Sequence, residues 1–233
     1  MATPAAPAAR PRGLRRFTGP RPPRPERCEL CGTEVAGDGH RHLVEVERRT
    51  LVCACPACAM LFDRPEAATG RFRAVPDRYL SDPVHRLDES AWDALQIPVG
   101  VAFFFRNAAL DRLVALYPSP AGATESELDP GLWQSVLEAT PLAAMLRPDV
   151  EALLLHRDPA AGGRTGCHLV PIDVCYRLVG RMRLLWQGFD GGSEARAALR
   201  EFFAEVERRA RPLDGAEAGP AGRAPADGGE VRP

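Results

Sequence analysis

The stretch RTLVCACPACAMLF, residues Arg49 to Phe62, places three of the chain's seven cysteines within six positions. Cys55 and Cys58 form a CxxC pair there, and RCELCG upstream supplies a second pair, Cys28 and Cys31. CxxC is the shortest spacing at which two thiolates of one tight loop reach the same tetrahedral metal, and two such loops complete a site with four sulfur ligands. The sequence therefore predicts a metal centre formed by these four cysteines.

The residues between the two pairs predict a β-hairpin. HLVEVE alternates apolar and polar side chains, Arg48-Arg49-Thr50 is typical of a turn, and LVCAC brings the chain back. Such a hairpin carries both CxxC loops to the same end, which is the layout of a zinc ribbon. We therefore predict a zinc-ribbon-like module over residues 27–63.

The pattern favours zinc as the metal, because a small closed site with four sulfur ligands is most often structural. CELCG and CPAC also resemble the paired loops of rubredoxins, whose four thiolates hold one iron for electron transfer, so iron is the alternative. The segment lacks the aromatic cluster that surrounds a rubredoxin iron. Gly32 suits the turn after the first pair, whereas Ala59 stands after the second pair and constrains its turn.

Three further side chains near the cysteine pairs are possible substitute ligands. His40 and His42 share one face of the predicted strand, and Cys53 stands two positions before Cys55. Both histidines are expected to be surface residues near the turn, and Cys53 is expected to be a spare thiol because Cys-x-Cys does not form the CxxC loop. All three are therefore expected to be substitute ligands only.

Length and composition predict a cytoplasmic protein with disordered ends. The chain has 233 residues, 45% of them hydrophobic, and no apolar run long enough to span a bilayer or to serve as a signal peptide. Close CxxC pairs in a reducing compartment favour metal binding over disulfides. Residues 1–26 form a basic tail rich in arginine and proline, and residues 211–233 form a second polar tail, so both are expected to be disordered. A basic tail can bind nucleic acid, but Phe17 is its only aromatic residue, which favours a solvated tail.

Residues 64–210 are expected to form an α+β domain, in which a small antiparallel sheet packs against two or three helices. Val99–Asn107 and Arg112–Pro118 predict a hairpin, and Val150–His156 predicts a buried strand. Asp129-Pro130 predicts the start of a helix.

Two helices are predicted near the end of this domain. Spacings of three and four residues place one set of side chains on a single helical face; its members are Ile172, Cys175, Val179, Met182 and Trp186. The last helix is predicted to begin with Ser193 as its N-cap. Its buried stripe is predicted to contain Leu199, Phe202, Phe203 and Val206.

Cys167, His168, Asp173 and Cys175 lie close together in the sequence and contain residue types that serve as nucleophiles or metal ligands. Their positions favour structural roles, because Cys175 falls on the apolar stripe and Asp173 in the first turn of the predicted helix. No phosphate-binding loop, HExxH or GxSxG motif is present in the sequence. The expectation is therefore a protein that is not an enzyme.

The motifs CxxC, HRHLV, CxCxxCxxLF and VPIDxCYxLVGxxRxxWxGFxGG resemble an uncharacterised actinobacterial family that is often encoded beside genes for nickel–iron hydrogenases. The resemblance covers about residues 27–206. It implies a protein partner, such as hydrogenase subunits or maturation factors, and an accessory or assembly role. A rubredoxin-like electron carrier and a zinc-ribbon nucleic-acid-binding protein are the alternatives. Arginine and aromatic side chains suggest a partner surface formed by Arg177, Arg181, Trp186 and Phe189.

Overall fold

The fold was analysed in a computed structural model. It describes residues 25–35, 39–64, 70–84, 87, 89–126, 140–158, 164–188 and 191–213. Four predictions lie outside these residues: most of the basic tail, the helix at Asp129-Pro130, the contribution of Phe189, and the C-terminal tail beyond residue 213.

The N-terminal part of the chain forms a three-stranded antiparallel sheet in the order β2-β1-β3. Its strands are β1 (Arg41–Glu45), β2 (Thr50–Ala54) and β3 (Phe72–Ala74). The predicted hairpin is confirmed, with Leu43 opposite Val52 and a turn in which Arg49 has a φ of 52°. The short helix α1 (Pro56–Met60) follows β2. The third strand of this sheet comes from beyond the predicted module boundary at residue 63.

The rest of the chain builds a seven-stranded sheet in the order β10-β4-β9-β8-β5-β6-β7. Every pair is antiparallel except β10 with β4. Its strands are β4 (Leu80–Asp82), β5 (Val101–Asn107), β6 (Arg112–Ser119), β7 (Gly122–Ser126), β8 (Glu151–Asp158), β9 (Arg164–Pro171) and β10 (Arg211–Pro212). The α+β class and the β5–β6 hairpin are confirmed, but the sheet is larger than predicted.

Strand alternation gives the large sheet two apolar faces. One face packs against α3 (Ile172–Leu185) and α4 (Gly192–Arg209), and it contains the fully buried Phe103 and Leu154. The other face packs against α2 (Glu89–Ala94) and a 3₁₀ helix, Pro141–Met145. The predicted stripe of α3 is confirmed from Ile172 to Met182, whereas Trp186 caps the helix end and is half-buried.

The start of α4 differs from the prediction. The helix begins at Gly192 and its N-cap is Gly191, not Ser193. Gly191 has a φ of 84°, a left-handed conformation that glycine adopts without steric cost, so the loop closes by backbone geometry rather than by a serine side chain. Phe202, Phe203 and Val206 are buried as predicted, and Leu199 is half-buried.

The two sheets are joined by shared packing and by polar bridges. Val44 of β1 belongs to the apolar cluster under α3. Arg73 of β3 forms an ion pair with the buried Asp149, which precedes β8, at 3.2 Å. Beyond the predicted end of the domain at residue 210, β10 pairs with β4 and Leu213 donates its N–H to the Ser81 carbonyl at 2.8 Å. No helix among the described residues is long and apolar enough to cross a membrane.

Candidate metal centre

Four cysteine sulfurs converge at one end of the three-stranded sheet. The Sγ atoms of Cys28, Cys31, Cys55 and Cys58 all lie within 4.8 Å of one another, and those of Cys31 and Cys55 are 3.8 Å apart. A tetrahedral zinc with Zn–S bonds of about 2.3 Å separates its sulfurs by about 3.8 Å. The cluster therefore fits a metal with four sulfur ligands. Its spacing does not distinguish zinc from iron, because tetrahedral iron requires a similar one.

The first cysteine pair is held in a tight turn before β1. The Gly32 N–H donates to the Cys28 carbonyl and the Cys28 N–H donates to the Thr33 carbonyl, each at 2.8 Å. Gly32 has a φ of 75°, which is the conformation expected of a glycine after a cysteine loop. The side chain of Cys28 is buried, whereas that of Cys31 is exposed.

The second pair lies at the start of α1. Cys55 is the N-cap of this helix, and its sulfur accepts the backbone N–H of Cys58 at 3.4 Å, while Pro56 occupies the first turn. Ala59 is therefore helical and buried rather than in a left-handed turn. This explains why the second loop does not need the glycine that follows the first.

The two loops are clamped together by Glu29. Its backbone N–H donates to the Cys53 carbonyl at 2.8 Å, and its carboxylate accepts the Cys53 N–H at 2.7 Å. The sulfur of Cys53 is not in the cluster. Sequence reasoning missed Glu29, whose only signal was its place inside the first CxxC loop.

Hydrogen bonds and neighbouring sulfurs set the protonation of the cluster. Burial raises the pKa of Cys28, but backbone N–H groups of Cys55, Cys31 and Leu30 outweigh this effect and lower the pKa to about 6. The hydroxyl and N–H of Thr33 also lower the pKa of Cys31. Hydrogen bonds shared with Cys31 and Cys55 raise the pKa of Cys58 to about 12. A divalent metal that binds to the four sulfurs displaces the protons that they carry.

The possible substitute ligands face elsewhere. His42 lies opposite Cys53 on the face of β1 that turns towards the large sheet, whereas Leu43 faces the cysteine loops. His42 contacts Asp173 through Nδ1 at 2.7 Å, and its ring centroid lies 4.8 Å from that of His40. Neither histidine belongs to the sulfur cluster. The pairing of His42 with Asp173 was not predicted, because 131 positions separate the two residues.

The second cysteine group does not form a site in the described structure. Cys167 packs on the α2 side of the large sheet, and Cys175 packs on the α3 side. Burial raises the pKa of Cys167 to about 12 and raises that of Cys175 well above its usual value. Both thiols are therefore packed as apolar groups, which was expected of Cys175 only; Cys167 lies within β9.

The described residues of the predicted partner surface do not line one common pocket. Arg181 donates to Glu201 of α4 at 2.6 Å, and Trp186 donates its ring N–H to the Gly188 carbonyl at 3.0 Å. Trp186 also lines an apolar pocket of about 340 Å³ with Met182 and Leu199. Arg177 lines a different, polar pocket.

Residues 27–210 match a protein family described as a family of unknown function (DUF5947). The match includes both cysteine pairs and nearly all of the large sheet. No curated protein and no solved structure matches the chain.

Proposed function

We propose a function for this chain, which belongs to the family of unknown function DUF5947: it is a zinc-binding, non-catalytic accessory or assembly protein. The observation that carries the proposal is the convergence of four sulfurs from two cysteine loops within 4.8 Å. The cysteine loops and the hairpin between them form a zinc-ribbon-like module, and the metal is structural. We place the protein in the cytoplasm, where the thiols remain reduced.

Mononuclear iron is the second candidate metal, and one feature favours it. Cys31 is exposed, and so are three large apolar side chains nearby: Leu30 in the first loop, Met60 at the end of α1 and Leu61 just after it. An electron carrier needs such an exposed edge, across which a partner can approach its metal. The burial of Cys28 and the presence of four cysteines in the cluster support zinc equally well. Metal analysis therefore decides between the two.

The first test measures the metal. Protein purified from cells supplied with both iron and zinc is expected to contain about one zinc per chain and to be colourless, because zinc has no visible absorption. Elemental analysis and an absorption spectrum give the answer. A red protein with stoichiometric iron that can be reduced and reoxidised would replace the zinc proposal with the electron-carrier proposal.

The accessory role has its support in the resemblance to the family found beside nickel–iron hydrogenase genes, and its partner surface is the one predicted around Arg177, Arg181, Trp186 and Phe189. A tagged pull-down from the native host tests it. Wild type is expected to retain hydrogenase subunits or maturation factors, and the Arg177→Glu/Arg181→Glu variant is expected to lose them. Arg112→Glu is the control, because Arg112 is also exposed but lies on β6, where it pairs with Glu125. Equal recovery by all three proteins would refute the surface.

A further inference from the structure

A polar pocket of about 410 Å³ lies between the three-stranded sheet and the two long helices. Its lining includes His40 and His42 of the first sheet, Tyr79, and Asp173 and Arg177 of α3. The volume is within the range of about 300–1,000 Å³ that is usual for small-molecule sites. None of the four clustered cysteines lines this pocket.

The side chains of His42 and Asp173 fix one another at the wall of the pocket. His42 Nδ1 lies 2.7 Å from Asp173 Oδ2, and both side chains are about three-quarters buried or more. Asp173 Oδ1 is buried without a hydrogen-bond partner in the described structure. A carboxylate beside Nδ1 selects the tautomer in which Nδ1 donates, so Nε2 carries the lone pair and can accept a hydrogen bond from a ligand.

The charges of the pocket leave one guanidinium unneutralised. Arg209 pairs with Asp77 at 2.6 Å and lies over the Tyr79 ring at 4.0 Å. Glu205 pairs with Arg208. Among the residues that the structure describes, no carboxylate forms an ion pair with Arg177. An anionic group in the pocket would therefore meet a free guanidinium.

A cation fits this pocket less well. The described chain contains no group of three or more metal-ligating atoms close together except the four cysteines, so the histidines and Asp173 do not converge on one point. A carboxylate ligand would use Arg177 but would have no proton to donate to His42 near neutral pH. A phosphate group has a second pKa of about 6, so it can carry both a proton and negative charge at that pH.

We propose that the pocket binds a small molecule that carries a phosphate group. Arg177 donates to the unprotonated phosphate oxygens, for which its planar guanidinium is suited. His42 Nε2 accepts the hydrogen bond of the protonated oxygen, and Asp173 acts as a positioning residue that fixes the tautomer of His42. The site goes beyond the proposed metal-binding function, because it requires none of the cysteines.

The test uses the full-length, metal-loaded protein and inorganic phosphate, with succinate as the carboxylate probe. Calorimetry measures binding, and NMR detects the imidazole nitrogens. Phosphate is expected to shift the His42 Nε2 signal with saturation, while succinate binds more weakly. Arg177→Gln is expected to weaken phosphate binding roughly tenfold or more, because a charge-assisted hydrogen bond contributes on the order of 1.5–3 kcal/mol.

Arg181→Gln is the matched control. It removes a guanidinium one turn later on the same helix, but that guanidinium is paired with Glu201 outside the pocket, so phosphate binding is expected to stay within about twofold of wild type. Asp173→Asn is expected to alter the tautomer signature of His42 as well as the affinity. Absence of a saturable shift, equal binding of succinate, or equal losses in the two arginine variants would overturn the proposal. The metal content of each variant is measured in parallel, so failure of this site is distinguishable from failure of the zinc proposal.

Discussion

At the scale of single residues, Cys53 holds the first cysteine loop through its backbone N–H and carbonyl, which both pair with Glu29. The CxxC spacing was sufficient to separate Cys55 and Cys58 from Cys53, and the structure brings the predicted four sulfurs together. The spacing did not indicate this backbone contact, in which the N–H and the carboxylate of Glu29 pair with the carbonyl and the N–H of Cys53. A thiol is unnecessary for that contact, since any residue other than proline offers the same N–H and carbonyl.

Cys53→Ser is therefore expected to retain the metal, whereas Cys55→Ser and Cys58→Ser are expected to lose it. The serine keeps the backbone clamp in the first case and removes one of four thiolates in the others. Elemental analysis of the three purified variants measures the outcome. Loss of metal from Cys53→Ser with retention by Cys55→Ser would require a different ligand set.

His168 gives a pH-dependent contribution to stability. Burial, followed by the nearby charge of His156, lowers the pKa of His168 from 6.5 to about 4, so the folded state keeps this imidazole neutral. The unfolded chain binds a proton below about pH 6.5 and the folded chain does not, so stability falls as the pH drops from about 6.5 to about 4. The full effect is on the order of 3 kcal/mol.

As the pH falls from about 6.5 to about 5, the free energy of unfolding of His168→Gln is expected to fall less steeply than that of wild type. Between about pH 8 and 7 the two proteins are expected to show the same slope. Chemical denaturation at a series of pH values measures both slopes, and metal release on acidification affects the two proteins alike. Parallel curves throughout the range would show that His168 titrates equally in both states.

At the scale of elements, sequence patterns were most informative where strands are long and apolar. The sequences of β5, β6 and β8 predicted their strands because each contains a short continuous apolar run: Val101–Phe105, Leu113–Tyr117 and Ala152–Leu155. β4 has only three residues, β7 is the polar GATES, and β9 contains Gly166 and ends at Pro171, so none gave a clear period. The contact between His42 and Asp173 depends on the packing of β1 against α3, which no local pattern encodes.

The start of α4 leads to a prediction for two small residues. Gly191→Ala is expected to destabilise the protein by about 1–2 kcal/mol, because alanine is strained at a φ of 84°. Ser193→Ala is expected to change stability by less than about 0.5 kcal/mol, because Ser193 is exposed and does not cap the helix. Urea unfolding compares the two. A loss of about 1 kcal/mol from Ser193→Ala would restore its assignment as the N-cap.

For the whole molecule, the sequence indicated a separable metal-binding module, and that boundary remains a prediction. Among the residues that the structure describes, the small apolar cluster around the cysteine loops contains five buried members: Cys28, Val35, Leu43, Ala54 and Ala59. Val44, on the other face of β1, packs into the main core. The proposed metal would therefore stabilise the cysteine loops on one side of the three-stranded sheet, while the other side packs against the large domain.

Metal removal is therefore expected to destabilise the cysteine segment more than the large sheet. After chelation, the backbone amides of residues 27–62 should exchange with solvent much faster, because the small cluster cannot hold the loops alone. The amides of β5, β8 and β9 should remain protected. Hydrogen exchange followed by mass spectrometry measures this difference, with metal-loaded protein as the control. Equal loss of protection in both regions would show that the metal stabilises the entire fold.

The final strand of the large sheet leaves little free edge for a second chain to pair with. β10 is only two residues long, ends in Pro212, and covers β4, which is itself too short to present an extended edge. A proline at a sheet edge offers no N–H to an incoming strand, and short edges are poor templates for intermolecular pairing. A chain cut at residue 210 would expose β4 and lose the contact of Leu213 with the second apolar face. We therefore expect a chain that ends at residue 210 to aggregate more readily than one that includes residues 211–213.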